Sequence, residues 1–117
     1  MDDRRRLERK YLIIYSRVFE RTLGKLLGYL SDLSLEGAMI IAENPLKAGK
    51  SLSLRFDLPD PKVFRAQNLY VTARVAHCSV DVSPEFYDIG LEFQDLIPEQ
   101  KNILEKMMEF YEFHRGN

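Results

Sequence analysis

Residues 51–59, SLSLRFDLP, alternate apolar and polar side chains along their whole length. Consecutive side chains of a β-strand point to opposite faces, so such a pattern places every apolar residue on one face. The apolar positions are Leu52, Leu54, Phe56 and Leu58. The pattern therefore predicts a strand with one face in a hydrophobic core and the other in water.

Working outward, five more segments have the composition of short strands, and turn residues such as Gly24, Gly37 and Asn44 separate them. We expect strands within residues 10–20, 25–33, 37–43, 69–79 and 87–93. In the run 69–79 the apolar residues fall on alternate positions, and we expect His77 to continue that apolar face. Residues 59–67, PDPKVFRAQ, predict a Pro-flanked loop.

A helix is predicted from Pro98 to about Phe113. Proline suits the first helical position because it lacks the N–H that would have no partner there, and Glu99 suits the positive end of the helix dipole. Its apolar residues form a broad stripe that we expect to pack on the open face of the sheet. They are Ile103, Leu104, Met107, Met108, Phe110, Tyr111 and Phe113.

Five or six short strands followed by one helix favour a mainly-β fold, a small antiparallel barrel with a C-terminal α-helix. The strands do not alternate with helices, which argues against a parallel sheet. The length of 117 residues suits one domain. We expect residues 1–10 to form a flexible N-terminal arm and residues 11–117 to form the barrel and its helix, at about 98–113.

The formal net charge of −1 gives no overall attraction to a nucleic-acid backbone, so we expect no DNA or RNA partner and only a local anion site. Cys78 is the single cysteine, which excludes an intramolecular disulfide. The sequence has neither a signal peptide nor an apolar run long enough to span a bilayer. We therefore expect a cytoplasmic protein without membrane insertion.

The sequence offers no catalytic or metal-binding motif, and we expect neither an enzyme nor a metalloprotein. His77 and Cys78 are adjacent, but neighbouring residues on a strand point to opposite faces and cannot form a nucleophile–base pair.

Four arginines stand within the first nine residues: Arg4, Arg5, Arg6 and Arg9. Arg5 and Arg9 have the spacing RxxxR. Guanidinium groups bind phosphate bidentately and stack on bases, so one segment of this kind can hold both parts of a guanine nucleotide. The alternative is a solvated terminal arm without a ligand.

The segment SDLSLEG, residues 31–37, contains Asp32, Ser34 and Gly37 in the spacing DxSxxG. A carboxylate can accept the N1–H and N2–H donors of guanine, a hydroxyl can serve base or phosphate, and glycine permits close approach of the backbone. The alternative is a strand-end Asx turn closed by a glycine.

RxxxR before the first strand, DxSxxG at the end of the second and GLEF (90–93) before the terminal helix together resemble the PilZ domain, a bacterial receptor for the second messenger cyclic di-GMP. The resemblance extends from Asp3 to about Tyr111. It implies a six-stranded antiparallel β-barrel with a C-terminal helix, which agrees with the pattern of the residues. It also implies a nucleotide-binding protein in motility or biofilm regulation.

The resemblance implies that Arg5 and Arg9 grip phosphates and guanine faces, that Asp32 and Ser34 read the guanine edge, and that Gly37 allows a close turn. In PilZ domains an arginine directly before RxxxR favours an intercalated ligand dimer. Arg4 occupies that position, which implies two ligands per chain.

Similar domains often carry an aromatic residue near the end of the penultimate strand, and His77 stands there with a ring that could stack on a base. A histidine without ligand contact is the competing interpretation. We assign Arg6 and Arg74 to solubility, and Gly90 and Phe93 to barrel packing.

Our leading hypothesis is thus a cyclic di-GMP receptor without catalysis, which orders its N-terminal arm on ligand binding and signals to an unidentified protein partner. Two alternatives stay open. One is a PilZ-like protein–protein adaptor that binds no nucleotide. The other is a single-stranded nucleic-acid binder on a small barrel, which the near-zero net charge disfavours.

Overall fold

The computed structural model describes the backbone of residues 16–115 and the side chains of residues 16–111. The described residues form six strands and two helices. The strands are β1 (Arg17–Glu20), β2 (Lys25–Leu33), β3 (Gly37–Ala42), β4 (Ser51–Asp57), β5 (Asn68–Val80) and β6 (Tyr87–Gln94). The helices are α1 (Pro61–Phe64) and α2 (Pro98–Arg115).

The six strands form a closed barrel in the order β1-β2-β3-β6-β5-β4, and all neighbours are antiparallel. Pairing of β1 with β4, in which Val18 lies opposite Phe56, closes the sheet. Closure leaves no strand edge among these six without a partner. The predicted fold class, a six-stranded antiparallel barrel with a C-terminal helix, is confirmed.

The interior of the barrel follows the alternation read from the sequence. Leu52, Leu54 and Phe56 of β4 are buried, and the polar residues between them are not. Other fully buried residues come from every remaining strand, among them Val18, Leu30, Ile40, Ala73, Val75 and Ile89. The rings of Phe56 and Phe93 meet edge to face at a centroid distance of 6.1 Å, which confirms Phe93 as a packing residue.

Helix α2 begins at Pro98 as predicted and extends two residues beyond the predicted end. The side-chain Oε1 of Gln100 accepts a hydrogen bond from Ile97 N at 2.8 Å. This is one of the two hydrogen bonds of a capping box, and it satisfies the backbone N–H of the residue before the helix. Because the sheet is closed, the helix does not pack on an open face as we expected. Its buried residues Leu104, Met107 and Tyr111 instead join the core of the barrel.

Burial also raises the pKa of Tyr111, since the phenolate would lose its hydration. The Tyr111 hydroxyl therefore stays neutral throughout the usual range of pH.

One predicted loop contains a helical turn, so that prediction was wrong at Pro61–Phe64. Asp60 caps this turn because its Oδ1 accepts a hydrogen bond from Lys62 N at 2.9 Å. Arg65 ends it with a left-handed backbone, φ 58°. Phe64 is buried against α2, with its ring centroid 6.0 Å from that of Phe110.

Replacing Met107 with alanine tests whether α2 is part of the core. Met107 is fully buried, so we expect Met107→Ala to lower the free energy of unfolding by about 2–5 kcal/mol. The neighbouring exposed Lys106 provides the control, and Lys106→Ala should change stability by no more than about 0.5 kcal/mol. Urea denaturation measures both. Equal losses for the two variants would contradict the packing of α2 described above.

Candidate functional site

An open cleft of about 310 Å³ lies on the outer surface of β2, β3, β6 and β5, which are consecutive in the barrel. Its volume falls at the lower end of the range for small-molecule sites. The cleft is lined by Asp32, Leu33, Ser34, Glu36, Gly37, Ala38, Met39, Ala76, His77, Gly90, Leu91 and Glu92. Four residues predicted to bind ligand from the sequence therefore meet here: Asp32, Ser34, Gly37 and His77.

A β-bulge places Asp32 at the cleft. Leu30 pairs with Ile40 and Asp32 pairs with Met39, so Ser31 is the extra residue on β2. Ser31 is buried, and its hydroxyl donates to the Met39 carbonyl at 3.1 Å. A bulge shifts the alternation of side chains by one position and so re-aims the residue that follows it. Asp32 consequently lies on the outer surface, exposed to solvent.

Asp32 keeps hydrogen-bonding capacity for a ligand. Its Oδ1 accepts a hydrogen bond from Leu33 N at 2.9 Å. Its Oδ2 accepts no hydrogen bond from the backbone of residues 16–115 or from the side chains of residues 16–111. A carboxylate has about four lone-pair sites, so a planar group that carries two adjacent N–H donors can still bind here.

Ser34 closes the turn between β2 and β3. Its Oγ accepts hydrogen bonds from Glu36 N at 3.1 Å and from Gly37 N at 3.2 Å. The backbone N–H of Ser34 donates in turn to the Gly37 carbonyl at 2.9 Å. This serine-based turn fixes the segment that carries Asp32.

Gly37 is required for a reason that differs from the one expected. Its φ is not positive, so no left-handed turn conformation demands glycine. A Cβ at Gly37 would instead collide with the backbone carbonyl oxygen of Leu91 on β6. The missing side chain therefore permits the close pairing of β3 with β6 at the floor of the cleft.

A second bulge determines the position of His77. Val75 pairs with Leu91 and His77 pairs with Gly90, so Ala76 is the extra residue on β5. Val75 is fully buried but His77 is exposed, so the prediction that His77 continues the apolar face was wrong. The alternation is reset at Ala76, and the imidazole lies in the cleft instead. Cys78 lies on the other face and packs against the core.

Carboxylates border the cleft: Asp32, Glu36 and Glu92. Arg74 on β5 donates from Nε at 3.2 Å and from Nη2 at 2.6 Å to Oε1 of Glu92. We assigned Arg74 to solubility, but it is held in an ion pair next to the site. Among the described lining residues there is no lysine or arginine, so this part of the protein supplies the cleft with negative charge.

Arg4, Arg5 and Arg9 lie outside the described residues, so their part in the site stays a prediction. Glu36, Gly90 and Glu92 also line the cleft, and they were not predicted from the sequence. A signal for Gly90 and Glu92 was present. Residues 89, 91 and 93 of β6 face inward, which leaves 90 and 92 on the outer surface, beside β3, the strand that begins at Gly37 of DxSxxG.

Within residues 16–115 no group of His, Cys, Asp and Glu side chains has the arrangement of a metal site. No helix in this part of the chain has the length and apolarity needed to cross a membrane.

Two glycine substitutions test the architecture of the cleft floor. Gly37→Ala brings a methyl group against a backbone carbonyl that cannot move aside, and we expect it to cost about 1–3 kcal/mol of stability. In Gly90→Ala the three atoms nearest to the new methyl group belong to the imidazole of His77, which can rotate away, so the cost should stay below about 1 kcal/mol. Thermal and urea denaturation measure both variants. A loss at Gly90 as large as that at Gly37 would contradict this description of the floor.

The family model of the PilZ domain matches residues 3–110. No curated protein matches.

Among similar solved structures, the PilZ domain of YcgR from Escherichia coli, described with c-di-GMP, has a TM-score of 0.64 at 16% identity, covering 85% of this chain and 83% of that one. The Bacillus subtilis inhibitor of motility MotI/DgrA has a TM-score of 0.68 at 17% identity, covering 85% of this chain and 47% of that one. The K. pneumonia MrkH–c-di-GMP complex has a TM-score of 0.65 at 16% identity, covering 87% of this chain and 49% of that one.

At such identities these structures show the fold alone, and the chain spans about half the length of MotI/DgrA and MrkH. The family model covers most of the sequence, including both the RxxxR and the DxSxxG segments. The chain belongs to the PilZ domain family.

Proposed function

We propose that this protein is a non-catalytic receptor for cyclic di-GMP. The observation that carries the proposal is that Asp32, Ser34, Gly37 and His77 line one open cleft in a PilZ domain. The E. coli YcgR domain and MrkH were both solved with c-di-GMP, which supports the same ligand class for this chain.

Asp32 reads the guanine edge in this proposal. Guanine presents N1–H and N2–H side by side, and a carboxylate can accept from both. Leu33 N already orients Oδ1 of Asp32 and holds the carboxylate in place, while none of the described residues donates to Oδ2. The turn closed by Ser34 stabilises this arrangement before a ligand arrives, so little ordering is required on binding.

The phosphates of the ligand need positive charge, and the cleft described above has none among its lining residues. Arg5 and Arg9 of the N-terminal segment would supply it, because guanidinium groups bind phosphate oxygens bidentately. The two halves of the site are complementary in this scheme. The barrel accepts hydrogen bonds from the base, and the arginines bind the phosphates.

Binding would draw the arginine segment, residues 4–9, against the outer surface of β2, β3, β6 and β5. The ligand drives this change because it contacts both halves only in the bound arrangement. We propose that a protein partner in the cytoplasm recognises the surface formed in this way. The description of MotI/DgrA as an inhibitor of motility supports a role in motility regulation for a protein of this fold.

Isothermal titration with cyclic di-GMP tests the proposal. We expect binding by the wild type and a loss of at least about tenfold in affinity for both Arg5→Ala and Asp32→Ala, because each removes a charge-assisted hydrogen bond. Arg6→Ala is the matched control in the same segment, and its affinity should stay within about threefold of the wild type. Absence of wild-type binding at micromolar ligand would overturn the proposal and favour the nucleotide-free adaptor.

Arg4 sets the stoichiometry in this proposal. Its guanidinium would pair with a second ligand molecule intercalated with the first, so the wild type should bind two ligands per chain. Arg4→Leu removes this guanidinium and should lower the ratio to one while binding persists. Titration calorimetry with protein concentration fixed by absorbance gives the ratio. A wild-type ratio of one, unchanged in Arg4→Leu, would exclude this role for Arg4.

A further inference from the structure

Gly90 lies directly beneath the imidazole ring of His77. The two residues are cross-strand partners on β6 and β5. The three atoms nearest to a Cβ placed on Gly90 all belong to that ring: Nε2, then Cδ2 at 2.7 Å and Cε1 at 3.0 Å. No backbone atom is among them. Any residue other than glycine at position 90 would therefore displace the ring.

The distances also define how the ring is oriented. Nε2 is bonded to both Cδ2 and Cε1. If this Cβ position lay in the plane of the ring, beyond Nε2, the two carbons would be clearly farther from it than the nitrogen is. All three atoms instead lie close to it. The imidazole consequently presents a face to the backbone of β6. The opposite face of the ring is turned away from β6. His77 is exposed and lines the cleft.

Comparison with the other glycines of the barrel shows that Gly90 has a different function from them. At Gly28 an added Cβ would meet the backbone carbonyl of Ile41, and at Gly37 it would meet that of Leu91. Those two glycines allow strands to approach each other. Gly90 instead makes room for a side chain, so its effect on the molecule is exerted through His77.

We propose that Gly90 is a positioning residue that holds the His77 ring flat, so that its free face forms a stacking surface for a purine base of the ligand. The inference rests on the proposed function and deepens it. A ring fixed between β6 and the ligand loses little side-chain freedom on binding, which favours affinity. The bulge at Ala76 is the feature of the backbone that brings His77 opposite Gly90.

The competing explanation is purely structural. Aromatic side chains cover glycines on neighbouring strands and stabilise the sheet without any ligand. The two explanations differ in what happens when the ring is removed. If Gly90 acts by positioning His77, a substitution of Gly90 has no effect on ligand affinity once His77 is absent. If Gly90 shapes the backbone of the cleft, the effect of the substitution persists without His77.

A double-mutant cycle separates them. Affinity for cyclic di-GMP is measured by calorimetry for the wild type, Gly90→Ala, His77→Ala and the double variant. Stacking of a base on an aromatic ring is energetically substantial. We expect Gly90→Ala and His77→Ala each to weaken binding by about five- to twentyfold, and Gly90→Ala to add less than about twofold in the His77→Ala background. His77→Phe, which retains a flat ring, should stay within about threefold of the wild type.

An equal loss from Gly90→Ala in both backgrounds would overturn the proposal, and so would the absence of any loss. NMR of the free protein provides an independent test of the placement itself. Nuclear Overhauser effects between the His77 ring protons and the Gly90 Hα protons are expected in the wild type. Their absence would show that the ring does not lie on Gly90.

Failure of this inference can be distinguished from failure of the proposed function. If the wild type binds cyclic di-GMP and the cycle shows no coupling, only the role of Gly90 is wrong. If the Overhauser effects are present but the wild type binds no cyclic di-GMP, His77 and Gly90 have the described geometry without this ligand. Both proposals are then overturned.

Discussion

The hydrogen bonds between β1 and β4 are the constraint on which the rest of the structure depends, because they close the sheet into a barrel. Once six antiparallel strands are paired on both sides, no strand can slide or rotate without breaking two ladders. Every side chain then points either into the core or into solvent. A strand can change which of its alternate side chains point into the core only by including an extra residue, a β-bulge.

Two such residues, Ser31 on β2 and Ala76 on β5, create the candidate site. Each bulge directly precedes a residue whose side chain enters the cleft, Asp32 in one case and His77 in the other. The strands between them, β3 and β6, carry Gly37 and Gly90, which leave space at the base of the cleft because they have no side chain. The site is therefore a consequence of how the barrel closes, built on strands whose other faces form the core.

Much of the fold could be predicted from the sequence because it depends on local pattern. The alternation of β4 and the proline at the start of α2 determine their elements without reference to the rest of the chain. The bulges could not be predicted in this way. A bulge is defined by the residues of the partner strand, and the sequence of β5 alone continues its alternation through Val75 to His77. The helical turn α1 could not be predicted for a similar reason. Phe64 is buried by its contact with Phe110 of α2, which lies 46 residues later in the sequence.

The site was predicted in part. The spacing of Asp32, Ser34 and Gly37 predicted that these three residues act as a group, and they do line one cleft, because they lie at the end of β2, in the turn after it and at the start of β3. Contributions from the neighbouring strand β6 were missed. Glu92 and Gly90 carry no motif, and only the pairing of β6 with β3 and β5 brings them to the cleft. The ion pair of Arg74 with Glu92 depends on the same pairing.

The central claim is that one ligand joins two halves of opposite charge, an acceptor-rich cleft on the barrel and an arginine segment at residues 4–9. A ¹H–¹⁵N NMR titration of the whole chain with cyclic di-GMP tests it most directly. The account predicts that amides of residues 4–9 and those of Asp32, Ser34 and His77 shift together and saturate at the same ligand concentration. Shifts confined to one of the two halves would contradict it.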